Sequence, residues 1–125
     1  MVVSADKRKP WEELFFDGEP GRPLSREKAG SFGLPLEMVR LAPSASNKQP
    51  WRVVLDGTKV HFCLLRNKGY GDGLPIDVQK NDIGIAMCHF EMTAGAGKWT
   101  FDEGICYNNE WEYVKTWETI RPQTA

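Results

Sequence analysis

Two β-rich runs joined by a short turn sequence constrain the fold of this chain more than any other feature. The runs WRVVLDG (51–57) and KVHFCLL (59–65) are separated by an Asp-Gly pair, which is typical of a tight hairpin turn. Because side chains alternate between the two faces of a strand, one face collects only apolar residues: Trp51, Val53, Leu55, Val60, Phe62 and Leu64. The pattern predicts an antiparallel hairpin with one buried face.

The sequence after this hairpin predicts one central helix and two further strands. The segment NDIGIAMCHFEM (81–92) is apolar on nearly every side of a helix, with Asn81 or Asp82 as the N-cap and Gly95 at the end. KWTFDEG and NEWEYVKTWE follow as strands. We therefore predict an α+β fold in which an antiparallel sheet packs against a central buried helix.

The sequence before the hairpin predicts two shorter helices. One begins near Pro10, because proline suits a first helical turn, and places Trp11, Leu14 and Phe15 at helical spacing. Residues 24–33 are weakly patterned and are predicted to be mostly loop. The other helix begins near Pro35 and ends at Ala42, because the residue before Pro43 is disfavoured in a helix.

Composition and charge indicate a single globular domain over residues 1–125, with frayed ends at 1–9 and 119–125. The net charge is -1 from 16 basic and 17 acidic residues, which argues against nucleic acid or an anionic membrane as a partner. No apolar run approaches the roughly 20 residues that span a bilayer. The start of the chain lacks the pattern of a secretory signal, and three cysteines make an odd number, so we expect a cytoplasmic protein.

The histidines and cysteines are predicted to be structural. With two histidines and no CxxC motif, we expect no metal site. His61 is predicted on the outer face of its strand, His89 as a hydrogen-bonded core residue, and Cys88 as a packing residue.

The segment PSASNKQPW (43–51) is longer and more polar than an ordinary helix-to-strand connection. Serine hydroxyls and the Asn47 and Gln49 amides supply both donors and acceptors, which suit the edge of a flat heterocycle. Pro43 and Pro50 restrict the backbone and lower the entropy cost of holding these groups. From the residues alone, a rigid loop that satisfies its own hydrogen bonds is an equally good interpretation.

The segment RLAPSASNKQPWRVV (40–54) resembles the flavin-contacting segment of the FMN-dependent nitroreductase family, whose form is roughly R-x-A-P-S-x-x-N-x-Q-P-W. DIGIAMCHFEM, followed by GAGKW, resembles the central helix of that fold and its exit. The similarity covers about residues 10–105 and is greatest for the C-terminal half of the putative TM nitroreductase subgroup. The resemblance implies a nitroreductase-like α+β fold and an oxidoreductase in which FMN takes electrons from NAD(P)H and passes them to nitroaromatic or quinone-like acceptors.

The resemblance also implies which residues lie against the flavin. These are Pro43, Ser44, Asn47 and Gln49, and we add the hydroxyl of Ser46 as a candidate contact. No side chain is expected to act as a catalytic acid or base, since the flavin carries the chemistry. Family members hold FMN between two equivalent lobes, so a single short lobe implies a homodimer or a partner chain.

One family motif has no counterpart in this sequence. Family members carry an R-R-S-x-R segment that holds the FMN phosphate, whereas residues 7–10 here read KRKP. The alternative hypothesis is therefore a truncated, flavin-less nitroreductase-like domain that acts as a binding or assembly module.

Overall fold

The chain contains four α-helices, one 3-10 helix and five strands in the computed structural model, which describes residues 8–44, 48–66, 77–105 and 107–120. In chain order the elements are α1 (Trp11–Leu14), β1 (Phe15–Asp17), α2 (Arg26–Ala29), the 3-10 helix (Gly30–Phe32), α3 (Gly33–Leu41), β2 (Trp51–Asp56), β3 (Lys59–Leu65), α4 (Val78–Ala94), β4 (Gly97–Thr100) and β5 (Trp111–Thr119).

The strands form one mixed sheet of order β1-β2-β3-β5-β4. The β2–β3 hairpin is confirmed: Asp56 pairs with Lys59 across the turn, and Gly57 has the positive φ of 62° that such a turn requires. The apolar face predicted for the hairpin is the face that packs into the core. The predicted sheet was wholly antiparallel, whereas β1 pairs with β2 in parallel, placing Phe15 opposite Val53.

The first predicted helix is shorter than expected. It ends at Leu14, and the extended Pro10 is its N-cap rather than part of its first turn. Phe15 was predicted in this helix but starts β1, where it is fully buried. Pairing with β2 gives this aromatic residue more burial than another helical turn would, so tertiary structure overrides the local pattern.

Residues 24–33 were predicted as loop and are largely helical. The Ser25 hydroxyl accepts a hydrogen bond of 3.1 Å from the backbone N–H of Lys28 and so caps α2. Ala29 and Phe32 are buried against the core. Two short helical turns replace the predicted loop because they bury these two side chains.

The two longer helices pack on the same face of the sheet. α3 ends as predicted, with Ala42 as its C-cap and Leu36 and Val39 buried. α4 begins four or five residues earlier than predicted, because the Asp77 carboxylate caps it through a 3.0 Å bond from Lys80 N. The helix was also predicted to be buried on nearly all sides, but only one face is buried: Gln79, Asp82, Ile83, Ala86 and Phe90.

The opposite face of the sheet is partly covered by the segment between β4 and β5. His61 lies on this face as predicted, yet it is only 2% exposed, and its Nδ1 lies 2.8 Å from Thr116 Oγ1. Burial lowers its pKa because the charged imidazolium loses solvation. Two other predictions were wrong: Cys88 is exposed, and His89 on α4 is half-buried rather than in the core.

Both ends of the described chain make contacts. Residues 1–7 and 121–125, which were predicted to be frayed, lie outside the described residues. Lys9 N donates to Gln49 Oε1 at 2.6 Å, and Ile120 N donates to Ala96 O at 3.0 Å, so residues 8–9 and 119–120 are held. No helix within the described ranges is long and apolar enough to cross a membrane.

Candidate functional site

The C-terminal end of α3 is fixed by two arginines. Arg40 makes a two-pronged contact with Glu37, with Nε–Oε1 at 2.8 Å and Nη2–Oε2 at 2.9 Å. The hydrogen bond from Arg40 lowers the pKa of Glu37. Arg8 Nη2 donates to the carbonyl of Leu41 at 3.2 Å, which satisfies one of the carbonyls that a helix leaves unpaired at its end. The loop that follows α3 therefore starts from a rigid position.

Gln49 fastens this loop to two other segments of the chain. Its side chain is fully buried. Oε1 accepts a 2.6 Å bond from the backbone N–H of Lys9, and Nε2 donates a 2.8 Å bond to the carbonyl of Arg40. Its φ of 46° lies in the left-handed region, which is unfavourable for a residue with a side chain. These two side-chain hydrogen bonds therefore hold a strained turn between α3 and β2.

Ser44 lies against Gln49. The Ser44 hydroxyl oxygen accepts a 3.0 Å bond from the Gln49 backbone N–H. Ser44 is half-buried, and Pro43 beside it is exposed. The other two predicted site residues, Ser46 and Asn47, lie outside the described residues.

The described part of this loop fits a flavin edge only in part. The hydroxyl hydrogen of Ser44 has no acceptor among the described residues, so it can be donated to a ligand. The exposed ring of Pro43 offers an apolar surface next to it. The Gln49 amide, in contrast, has both of its polar atoms bonded within the chain. Its role as a flavin contact stays a prediction. In the structure, its side chain holds the loop to Lys9 and Arg40.

A shallow cleft of about 630 Å³ lies beside α1 and is also lined by Arg40 at the end of α3. Arg26 lies over the ring of Trp11, with 4.4 Å between Cζ and the ring centroid, and Arg40 reaches the same cleft. Both arginines contact Glu37, which neutralises part of their charge. The cleft therefore offers an aromatic and cationic wall.

The sequence-based prediction missed the supports of the loop. Arg40 was visible as the first residue of the matched segment, and its position in the last turn of a helix was a usable signal. The contacts from residues 8 and 9 gave no signal, because they join positions about 30 to 40 apart in the chain, and no local pattern encodes such a pairing.

Comparison with known proteins agrees with this architecture. The family described as putative TM nitroreductase matches residues 6–94. A putative nitroreductase from Thermotoga maritima MSB8, known from its crystal structure, is 21% identical with a TM-score of 0.60. The match covers 90% of this chain and 42% of that one, so this chain spans less than half the length of the solved protein. No curated protein matches the chain.

The family match includes α3, the loop with Ser44 and Gln49, the β2–β3 hairpin and all of α4. It covers well over half of the chain, and the structural match independently gives the nitroreductase fold. The chain therefore belongs to the putative TM nitroreductase family.

Proposed function

We propose that the chain is an FMN-dependent oxidoreductase, or the flavin-contacting part of one, that passes electrons from NAD(P)H to nitroaromatic or quinone-like acceptors in the cytoplasm. Family membership supports the reaction class. The observation that carries the proposal for this chain is the loop after α3, where Ser44 has an uncommitted hydroxyl hydrogen beside the exposed Pro43.

The proposed roles of the loop residues follow from their chemistry. Ser44 donates its hydroxyl hydrogen to a carbonyl oxygen of the flavin, and Pro43 packs against the flat ring. Gln49 keeps the backbone of the loop in place for both contacts. Asn47 is a proposed contact on the family resemblance, and Ser46 is a proposed contact because of its hydroxyl group. FMN, when bound, supplies the hydride and electron transfer, so no side chain is assigned as an acid or base.

The test is a titration of the purified chain with FMN, followed by the quenching of flavin fluorescence. Ser44→Ala removes the proposed neutral hydrogen bond to FMN as well as the bond from the Gln49 N–H. Loss of the bond to FMN is expected to cost about 0.5–1.5 kcal/mol, or about 2- to 12-fold weaker FMN binding. Ser31→Ala, at an exposed serine of the 3-10 helix, is the matched control and is expected to bind FMN like the unmodified chain. Absence of flavin quenching by the unmodified chain would contradict the proposal.

A second candidate function is supported by one observation. Both polar atoms of the Gln49 amide are bonded within the chain, as in a loop that serves only the fold. In this alternative the chain is a flavin-less nitroreductase-like domain that acts as a binding or assembly module. A purified protein that is colourless and gives no visible spectral change with added FMN or NADH supports it.

We further propose that the chain works as a homodimer or with a partner chain. Met92 on α4 is 77% exposed and Leu34 on α3 is 61% exposed. A two-fold dimer is the commonest way in which a chain covers exposed apolar side chains with a second copy of itself.

A further inference from the structure

Arg52 is a buried cation in the second position of β2. It is 9% exposed, and its Nη1 donates to the carbonyls of Gln49 at 3.0 Å and Trp51 at 2.7 Å. Its Nε and Nη2 have no hydrogen-bond partner among the described residues. These two atoms form the side of a guanidinium that binds a carboxylate with two parallel bonds, as Arg40 does with Glu37 in this chain.

The charge of Arg52 is not neutralised by the described part of the chain. No carboxylate there lies within ion-pair distance, and Glu13 acts on it only from farther away. Burial accordingly lowers the pKa of Arg52. A buried charge without a counter-ion is costly. An anion that reaches Nε and Nη2 of Arg52 therefore gains more binding free energy than it would at an exposed arginine.

Arg52 lines a surface cleft of about 800 Å³ at the edge formed by the end of β3 and the start of β5. Leu65 and the half-buried indole of Trp111 give this cleft apolar walls. One side of Trp111 is fixed by Phe16, with ring centroids 5.2 Å apart. The cleft is thus lined both by an aromatic ring that is packed on one side and by Arg52.

The other charged groups of the cleft decide which anion fits. Arg66 is already engaged by Asp77 and Glu112, so Arg52 supplies the open cationic fork. Glu110 and Glu112 also line the cleft and repel a doubly charged phosphate more strongly than a single carboxylate. A cleft lined by the open guanidinium edge of Arg52 and by the indole of Trp111 suits a ligand that carries one carboxylate on a flat apolar group.

We propose that this cleft is a binding site for a small aromatic carboxylate, in which the Nε and Nη2 of Arg52 hold the carboxylate and Trp111 contacts the ring. Arg52 and Trp111 are not among the residues proposed to contact the flavin, although Arg52 also donates to the carbonyl of Gln49, and the proposal does not depend on FMN binding.

The test compares benzoate with its neutral analogue benzamide by two-dimensional ¹H–¹⁵N NMR of the 125-residue chain. Benzoate is expected to shift the indole N–H of Trp111 and the Nε–H of Arg52, and to bind at least about 10-fold more tightly than benzamide, since a charged hydrogen-bonded pair is lost with the amide. Equal binding of the two probes, shifts confined to other residues, or no shift up to the solubility limit of benzoate would each overturn the proposal.

Two variants distinguish specific binding by the Arg52 guanidinium from a general effect of positive charge. Arg52→Met keeps the apolar stem and is expected to weaken benzoate binding by about 10- to 100-fold. Lys59→Met removes the same charge from an exposed position at the far end of β3, and is expected to leave benzoate binding unchanged. Benzoate binding equal in Arg52→Met and the unmodified chain would overturn the proposal. If Arg52→Met does not fold, the comparison of the two probes on the unmodified chain still decides.

Discussion

Gln49 combines full burial, a left-handed backbone and an amide whose two polar atoms are both bonded within the chain. Such strain persists only where the surrounding structure imposes it. Here the imposing contacts come from Lys9, Arg40 and Ser44. The residue therefore links the beginning of the described chain, the end of α3 and the loop that we assign to the flavin.

Replacing Gln49 by Ala should destabilise the fold. The backbone N–H of Lys9 and the carbonyl of Arg40 would lose their partner in a largely buried setting, so we expect the free energy of unfolding to fall by about 1–3 kcal/mol. Urea titration followed by circular dichroism measures it. Asn81→Ala, at an exposed position of α4, is the control and should stay within about 0.5 kcal/mol. An unchanged unfolding midpoint together with weaker FMN binding would instead make Gln49 a direct ligand.

At the scale of elements, an ion pair joins the end of β3 to the start of α4. Arg66 Nη2 lies 2.6 Å and Nη1 3.0 Å from the Asp77 carboxylate, which also caps α4. The hydrogen bond from Arg66, followed by that from Lys80 N, lowers the pKa of Asp77 to about 2. The pair is about 40% exposed, so water screens it and its contribution is about 1 kcal/mol or less.

The lowered pKa of Asp77 gives a pH dependence with a definite sign. Its stabilising contribution is complete above the unfolded pKa of about 3.9 and is lost as the pH falls toward about 2. Asp77→Asn keeps a side-chain cap but removes the charge. We expect this variant to lose up to about 1 kcal/mol near neutral pH and to show a flatter fall in stability in the acid range. Thermal melts of the variant and the unmodified chain at several acid pH values measure this dependence. Equal slopes of stability against pH for the two proteins would contradict the prediction.

The pairing of β4 with β5 depends on a residue without a side chain. A Cβ built on Gly97 would lie 2.4 Å from ring atoms of Trp117, and Trp117 is 3% exposed in the core. Gly97→Ala should therefore cost about 1–3 kcal/mol, because the buried indole must shift. Gly104→Ala is the control, since its Cβ would meet only Asp102 at 3.4 Å. Chemical denaturation of both variants measures the difference, and equal midpoints would contradict the expected clash.

At the scale of the whole molecule, the side of α4 that faces away from the core carries a row of apolar residues. Ile85, Cys88 and Met92 follow one another at helical spacing on the side away from the core, half-buried in the first case and exposed in the other two. We call these three residues the outer stripe. Because a charge is costly to bury at an interface, Met92→Glu is expected to weaken self-association.

Light scattering under reducing conditions measures this prediction. The unmodified chain should have about twice its 14.2 kDa monomer mass, and Met92→Glu should shift it toward the monomer. Thr93→Glu adds the same charge to an exposed position of α4 that lies about 100° around the helix from Met92, and it should leave the mass unchanged. A stable monomer of the unmodified chain at micromolar concentration would contradict the proposed homodimer.

The sequence by itself determined the parts of the fold that rest on local patterns. Alternation of apolar residues and the Asp-Gly turn fixed the β2–β3 hairpin, and Pro43 fixed the end of α3. The segment from Arg40 to Val54 also carried the family resemblance, which the family match over residues 6–94 confirmed. These signals are readable because each depends on neighbours within a few residues.

Tertiary structure decided what depends on distant neighbours. Phe15 became a strand residue because it pairs with Val53. His61 became buried because Thr116 is its neighbour on β5 and the ring of Tyr107 packs near it. α4 buries one side only, since α3 and the sheet meet it there. The amide of Gln49 and the open fork of Arg52 took their roles from contacts that no local pattern encodes. Burial and hydrogen bonding are properties of the assembled chain, and here they decided which polar groups remain available to a ligand.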